Sequence, residues 1–232
     1  MRFLKPFLLT SLLAMSLGLL PGAAAAGPGN PQNNVDYLTL AKPQPAESGK
    51  RIEVIEFFGY FCPHCHAFDP VLTDWVNKHG DNIAFKRIHV VFRPAMLPFQ
   101  QMYITLDVLG KTHEVHSKIF HAMHNQRLAL TNESQILDFL VKQGIEREQY
   151  LEIYNSFSVQ GKMRSLTRMQ EAFGIDGVPM IAIDGRFVTS PEILRGSIGS
   201  QPEKILHLAT LQVMEALVLR VMRERGMPVP AK

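Results

Sequence analysis

Cys62 and Cys65 are the only cysteines among 232 residues, and they stand two residues apart in VIEFFGYFCPHCHAFDP, residues 54–70. Closing so small a loop removes little entropy from the unfolded chain, so the pair is a poor brace. Two thiols at this spacing can instead pass between dithiol and disulfide and hand the disulfide to another protein. Cys62 falls where a helix begins, facing unsatisfied backbone N–H groups and the positive end of the helix dipole. Pro63 suits the first helical turn, where its missing N–H has no partner to lose. His64 can donate a hydrogen bond to the sulfur or carry charge beside it. Each effect favours the Cys62 thiolate, which makes the reduced form comfortable and the protein an oxidant of its partners. Cys65, about one turn further in, is the expected resolving thiol.

A strand must deliver these residues and a helix must receive them. RIEVIEFF, residues 51–58, is apolar on both faces, as a central and doubly covered strand is. After the cysteines, Phe68, Val71, Leu72, Trp75 and Val76 recur at helical spacing up to Gly80. IAFKRIHVVF follows as a second strand. Residues 96–173 contain no strand pattern and read as helices over 98–109, 112–124, 132–143, 146–155 and 159–173, the third capped by Thr131 or Asn132. VPMIAIDGRFVTS then reads as a hairpin turning at Asp184–Gly185, a type I′ pair. A long helix over 202–225 stops at Gly226 with Pro228 beyond. Its Glu215, Arg220 and Arg223 argue for packing against the sheet and against a membrane span. Near the start, VDYLTLAKP reads as a short edge strand ended by Pro43 and Pro45, and residues 27–34 as a flexible leader. The expected fold is α/β, one sheet interrupted by a helical excursion.

Residues 1–26 are set aside as a cleaved export signal: Arg2 and Lys5, an apolar run from Phe7 to Leu20, then small residues at Ala24 and Ala26. The run is shorter than the ~20 residues of a membrane span. There is no twin-arginine pair and no cysteine at the cleavage point. Loss of Arg2 and Lys5 lowers the formal charge from +3 to +1, which leaves no electrostatic footprint for nucleic acid or anionic lipid. About 205 residues remain, enough for one large domain.

EFFGYFCPHC, the GVP at 177–179 and the helical stretch between them resemble the DsbA family of periplasmic thiol–disulfide oxidants, over essentially the whole mature chain. The resemblance implies a thioredoxin-like fold with a large all-helical insertion. The thioredoxin-like part spans 27–95 and 174–232, and the insertion spans 96–173. It implies that Val178–Pro179 forms a cis-proline loop beside the cysteines and pairs its backbone with an extended substrate. It also implies that Glu56 is a buried carboxyl that helps move a proton at Cys65. On the alternating face Val54–Glu56–Phe58 that burial is reasonable, and with no cationic partner in view the carboxyl is expected to titrate high. Phe61 and Phe68 are candidates either for a client-binding rim or for the core. The implied activity is donation of the Cys62–Cys65 disulfide to unfolded or folding secreted proteins in the periplasm, by a monomer that needs no separate cofactor. The implied reoxidising partner is a membrane quinone reductase of the DsbB type.

Three rival readings are open on residues alone. Cys62 to His66 also spells C-x-x-C-H, the c-type haem attachment pattern, with His66 as axial ligand. His113/His116 and His121/His124 are i,i+3 pairs, but each supplies two ligands where structural zinc takes four, so these side chains are expected to be exposed and uninvolved. Within the same fold, a disulfide isomerase of this compartment carries a sizeable N-terminal dimerisation domain, for which the ~25 mature residues before the first long strand leave no room. A cytosolic reductase would lack both export signal and insertion. Disulfide donation leads.

Overall fold

The computed structural model describes residues 27–229; the proposed cleavable signal lies outside them. The strand that delivers the cysteines, β2 (Ile52–Phe58), pairs in parallel with β3 (Ile83–His89) and antiparallel with β4 (Met180–Ile183). β4 turns back into β5 (Phe187–Thr189), and β1 (Leu38–Thr39) closes the edge, giving the order β1-β5-β4-β2-β3. All of β2 is buried, as its unbroken apolar run requires. Val54 packs on Phe68 and Leu72 of α1 (Pro63–His79) and on Val213 and Leu217 of α8 (Glu203–Glu224). Ile55 and Phe57 face the other way, onto Phe173 and Ile175.

Between β3 and β4 the chain is helical: a 3-10 turn at Pro94–Met96, then α2 (Leu97–Val108), α3 (Thr112–His124), α4 (Glu133–Lys142), α5 (Arg147–Tyr154) and α6 (Phe157–Ala172). Its core is not separate from that of the sheet. One apolar cluster runs from Phe58, Tyr60 and both cysteines through Met102, Ile119 and Phe120 to Leu140 and Tyr150. Asn132 caps α4 by accepting from Gln135 N. Helix α8 has the length and mean hydropathy, 1.6, of a membrane span, yet its buried stripe of Val213, Met214, Leu217, Val218 and Val221 is spent on the sheet.

Two expectations need correction. Residues 27–34 do not form a loose leader, because the neighbouring Asp36 is wholly buried and ties them down. Its carboxylate accepts from Gln32 N at 2.8 Å and from the Ser197 hydroxyl, while its carbonyl accepts from Thr189 Oγ1 at 2.9 Å. The second is a helix the sequence reading passed over, α7 (Pro191–Ile198). Its signals are present: Ser190 Oγ accepts from Ile193 N at 3.0 Å, Pro191 fills the first position, and Glu192 sits in the first turn. A single residue separates it from β5, so the strand pattern ran into it.

The hairpin turn is as expected. Asp184 and Gly185 take φ of 57° and 64°, both positive as a type I′ turn requires. A Cβ on Gly185 would also run into the Gln44 carbonyl. Gly185→Ala should therefore lose about 1–3 kcal/mol of stability, read as a lower denaturant midpoint at unchanged slope. An unshifted midpoint would mean that the turn and the Gln44 segment give way freely.

Candidate active site

The loop between β2 and α1 is fixed before chemistry begins. Tyr60 is fully buried and is held by three histidines. Its N–H donates to His89 Nε2 at 3.1 Å, its carbonyl accepts from His124 Nε2 at 2.8 Å, and its hydroxyl meets His116 Nδ1 at 2.9 Å. His116 Nε2 lies 3.1 Å from Asp69 Oδ1. A carboxylate only accepts, so Nε2 carries the proton and Nδ1 accepts from the tyrosine. Burial holds His116 below its ordinary pKa against the pull of Asp69, and pushes His89 down to about 3. Both rings are therefore neutral at pH 7. His116 and His124 were expected to be exposed and idle; they are instead the points where α3 grips the redox loop. His113 and His121 do lie on the outside. Among the described residues no group of three or more potential ligands is gathered for a metal ion.

Cys62 is the N-cap of α1, with extended backbone (φ −94°, ψ 114°), and Pro63 opens the helix. Its Sγ accepts from Cys65 N at 3.1 Å and, as a thiol, donates to Val178 O at 3.4 Å. The Val178–Pro179 bond is cis, as the GVP match implied. Both cysteines are free. Cys62 keeps 6% of its surface open and Cys65 none, so solvent reaches only the first. Hydrogen bonding from the Cys65 thiol lowers the Cys62 pKa; burial opposes it, and the Cys65 N–H and the charge of His64 add to the lowering. Burial, the hydrogen bond and charge of Cys62, and the charge of Glu56 push Cys65 far above the ordinary thiol range. The two thiols are thus driven apart: one poised to ionise, one held protonated.

His64 does less for the sulfur than its position suggested. Its Nδ1 lies 2.7 Å from Glu203 Oε1, so the ring turns to α8 and acts on Cys62 through charge at a distance. The leading donors to Sγ belong to Cys65. Phe68 is wholly buried against His207 and belongs to the core, whereas Phe61 is partly open and packs on Phe92 and His89. His66, the ligand a haem would need, bonds Asn125 and stacks on His124 at 5.1 Å.

Glu56 is buried, but not without a cation. The parallel register of β2 and β3 sets Arg87 opposite it. Arg87 Nε reaches Glu56 Oε2 at 2.7 Å, and Nη2 reaches Asp69 Oδ1 at 2.8 Å. Burial still outweighs the guanidinium and lifts the Glu56 carboxyl to about 6, with Asp69 adding to the rise. Burial works against Asp69 as well, yet the His116 hydrogen bond and the charge of Arg87 hold it below its ordinary range. Glu56 therefore titrates nearer neutrality than an ordinary carboxyl, and its charge acts on Cys65. The direction expected for Glu56 stands, and its isolation does not.

Beside the cysteines and the cis-proline loop runs a groove of about 410 Å³, lined in part by His64, Gly177, Val178, Met180, Glu203 and Leu206. A sheet entered through β-α-β, a CxxC at the helix start and a cis-proline loop against its first sulfur define a thioredoxin-fold dithiol oxidoreductase. Comparison with known proteins narrows this. A family described as the DSBA-like thioredoxin domain matches residues 97–199. The thiol:disulfide interchange protein DsbA of Burkholderia cepacia is 39% identical over 215 residues, which are 92% of this chain and 96% of the relative. That of Pseudomonas aeruginosa is 33% identical over 89% of this chain and 94% of the relative. The crystal structure of Pseudomonas aeruginosa DsbA superposes with a TM-score of 0.75 at 29% identity, covering 82% of this chain and 94% of that one. DsbA from Xylella fastidiosa gives 0.72 at 26%, over 84% and 98%. The chain belongs to the DsbA family and is a thiol–disulfide oxidoreductase. Neither a c-type haem protein nor an isomerase or reductase is favoured.

The Glu56 carboxyl yields a signed prediction. Folding raises its pKa from 4.5 to about 6, so its favourable contribution is complete below 4.5 and is lost as pH rises through 6. The loss is roughly 2 kcal/mol at 1.36 kcal/mol per unit. In reduced protein, the stability of Glu56→Gln relative to wild type should therefore improve by about that amount between pH 4.5 and 7.5. Equal pH dependence for the two proteins in urea unfolding would show that Glu56 titrates as an open carboxyl.

Proposed function

We propose that the chain donates the Cys62–Cys65 disulfide to newly exported polypeptides in the periplasm. A client thiolate attacks Cys62 Sγ, forming a mixed disulfide and expelling Cys65 as a thiolate. Cys65 takes up a proton, for which Glu56 is the nearby acid. A second thiolate of the client then attacks the client sulfur bonded to Cys62, so the client's S–S bond forms as the mixed disulfide breaks and Cys62 leaves as a thiolate. The client loses two electrons and forms its disulfide; the enzyme gains both and is left as the dithiol. No cofactor beyond the cysteine pair enters this cycle. Val178 and Pro179 would align the client chain along the groove, as an added strand whose backbone bonds are independent of client sequence. The observation that carries the reading is the Cys62 sulfur at the α1 N-cap, the more open of the two thiols, beside the Val178 carbonyl of the cis-proline loop.

The enzyme must be reoxidised by something that accepts two electrons, and we assign this to a membrane quinone reductase of the DsbB type. The working form is a monomer. Export follows from residues 1–26, with their charged start, apolar run and small residues before Gly27.

Cys65→Ser should accumulate mixed disulfides with periplasmic clients through Cys62, whereas Cys62→Ser should accumulate none. Trapping through residue 65 would reverse the assignment. The pH dependence has a definite sign: because the folded Cys62 pKa is depressed, the stabilisation of the reduced enzyme is present at neutral pH and lost as pH falls through that pKa. The gap in Tm between reduced and oxidised enzyme should narrow on acidification. A constant gap would exclude a stabilised thiolate.

A further inference from the structure

Helix α8 begins at Glu203, and Pro202 before it provides no side-chain cap. The Glu203 carboxylate stands at the N-terminus of its own helix but reaches out of it, 2.7 Å from His64 Nδ1 across the mouth of the redox groove. One helical turn further on, His207 is 5% exposed, and its Nε2 lies 3.7 Å from the same Glu203 oxygen with no hydrogen-bond partner. The His207 ring packs on Phe68 of α1 with centroids 5.0 Å apart. That contact fixes the start of α8 against α1 and hence the reach of Glu203. Two helix N-termini thus face each other, one carrying the Cys62 sulfur and the other a carboxylate, with the His64 imidazole between them.

An imidazole aims each ring N–H along one direction. With Nδ1–H given to Glu203, that donor is withheld from the sulfur two residues away. We propose that Glu203 is a positioning residue for disulfide donation: it holds His64 off the Cys62 sulfur and so restrains the oxidising strength of the enzyme. The proposal rests on the assignment of Cys62 as the nucleophile.

Glu203→Gln keeps the size of the side chain and removes its charge. Both partners are partly open, with side-chain exposures of 65% for His64 and 43% for Glu203, so solvent screens the pair and the effect is that of one surface ion pair. The Cys62 pKa, read from thiolate absorbance, should fall by about half a unit. In a glutathione titration the equilibrium should move about threefold toward reduced enzyme, which is about 15 mV at 29.6 mV per tenfold change. In a His64→Ala background the same substitution should move neither quantity. An unchanged pKa and potential, a change of the opposite sign, or an equal change without His64 would each overturn the proposal. Cys62→Ser separates this from failure of the underlying assignment: if the thiolate signal survives that variant, Cys62 is not the ionising thiol, and both readings fall together.

Discussion

A sulfur atom stands where a helix expects a hydroxyl or a carboxylate. Helix starts leave backbone N–H groups without intrahelical partners, and a short polar side chain at the N-cap ordinarily accepts from one of them. Here Cys62 Sγ takes the Cys65 N–H at 3.1 Å. The bond strengthens as the sulfur becomes negative, so the helix itself favours the thiolate, and it does so most when the partner cysteine has left. Everything around the site serves to keep that relation: Pro63 starts the helix on time, β2 brings the chain in buried, and the Val178 carbonyl closes the remaining side.

The local features were readable from residue order, and the cross-chain ones were not. The two main strands, the hairpin turn, the helical stretch and the placement of Cys62 all followed from periodicity and from residues with strong local preferences, Pro63, Asp184 and Gly185 among them. Helix α7 was missed although Ser190-Pro191-Glu192 announces it, because only one residue separates it from a strand. The partners of the site residues were hidden for a different reason. Arg87 meets Glu56 only through the register of two strands, and Glu203 meets His64 across 139 positions. Nothing in a local pattern encodes either pairing. The histidines of α3 show the same limit, since spacing put them on one side of a helix without saying what that side would face.

The buried charges beneath the cysteines form a balanced set. Arg87 carries one positive charge between two carboxyls, and their environments pull the two apart. Asp69 has His116 as well and stays ionised; Glu56 has only its share of the guanidinium and is more deeply enclosed. Unequal hydrogen bonding around one cation makes Glu56 the more readily protonated of the two, and it is the carboxyl whose charge reaches Cys65. Exchange at the inner cysteine changes charge in a place water does not reach, where the state of a neighbouring buried carboxyl matters more than it would in solvent.

Tyr60 gives the helical insertion a meaning beyond bulk. Two of the three histidines on that tyrosine, His116 and His124, come from α3, while Tyr60 itself belongs to the loop two residues before Cys62. The insertion and the loop are therefore one heritable unit. A chimera that took its insertion from another protein of this architecture would strand the Tyr60 hydroxyl and carbonyl in an apolar interior unless both histidines travelled with it. Recombination within such a fold is constrained at three positions, Tyr60, His116 and His124, that lie far apart in sequence.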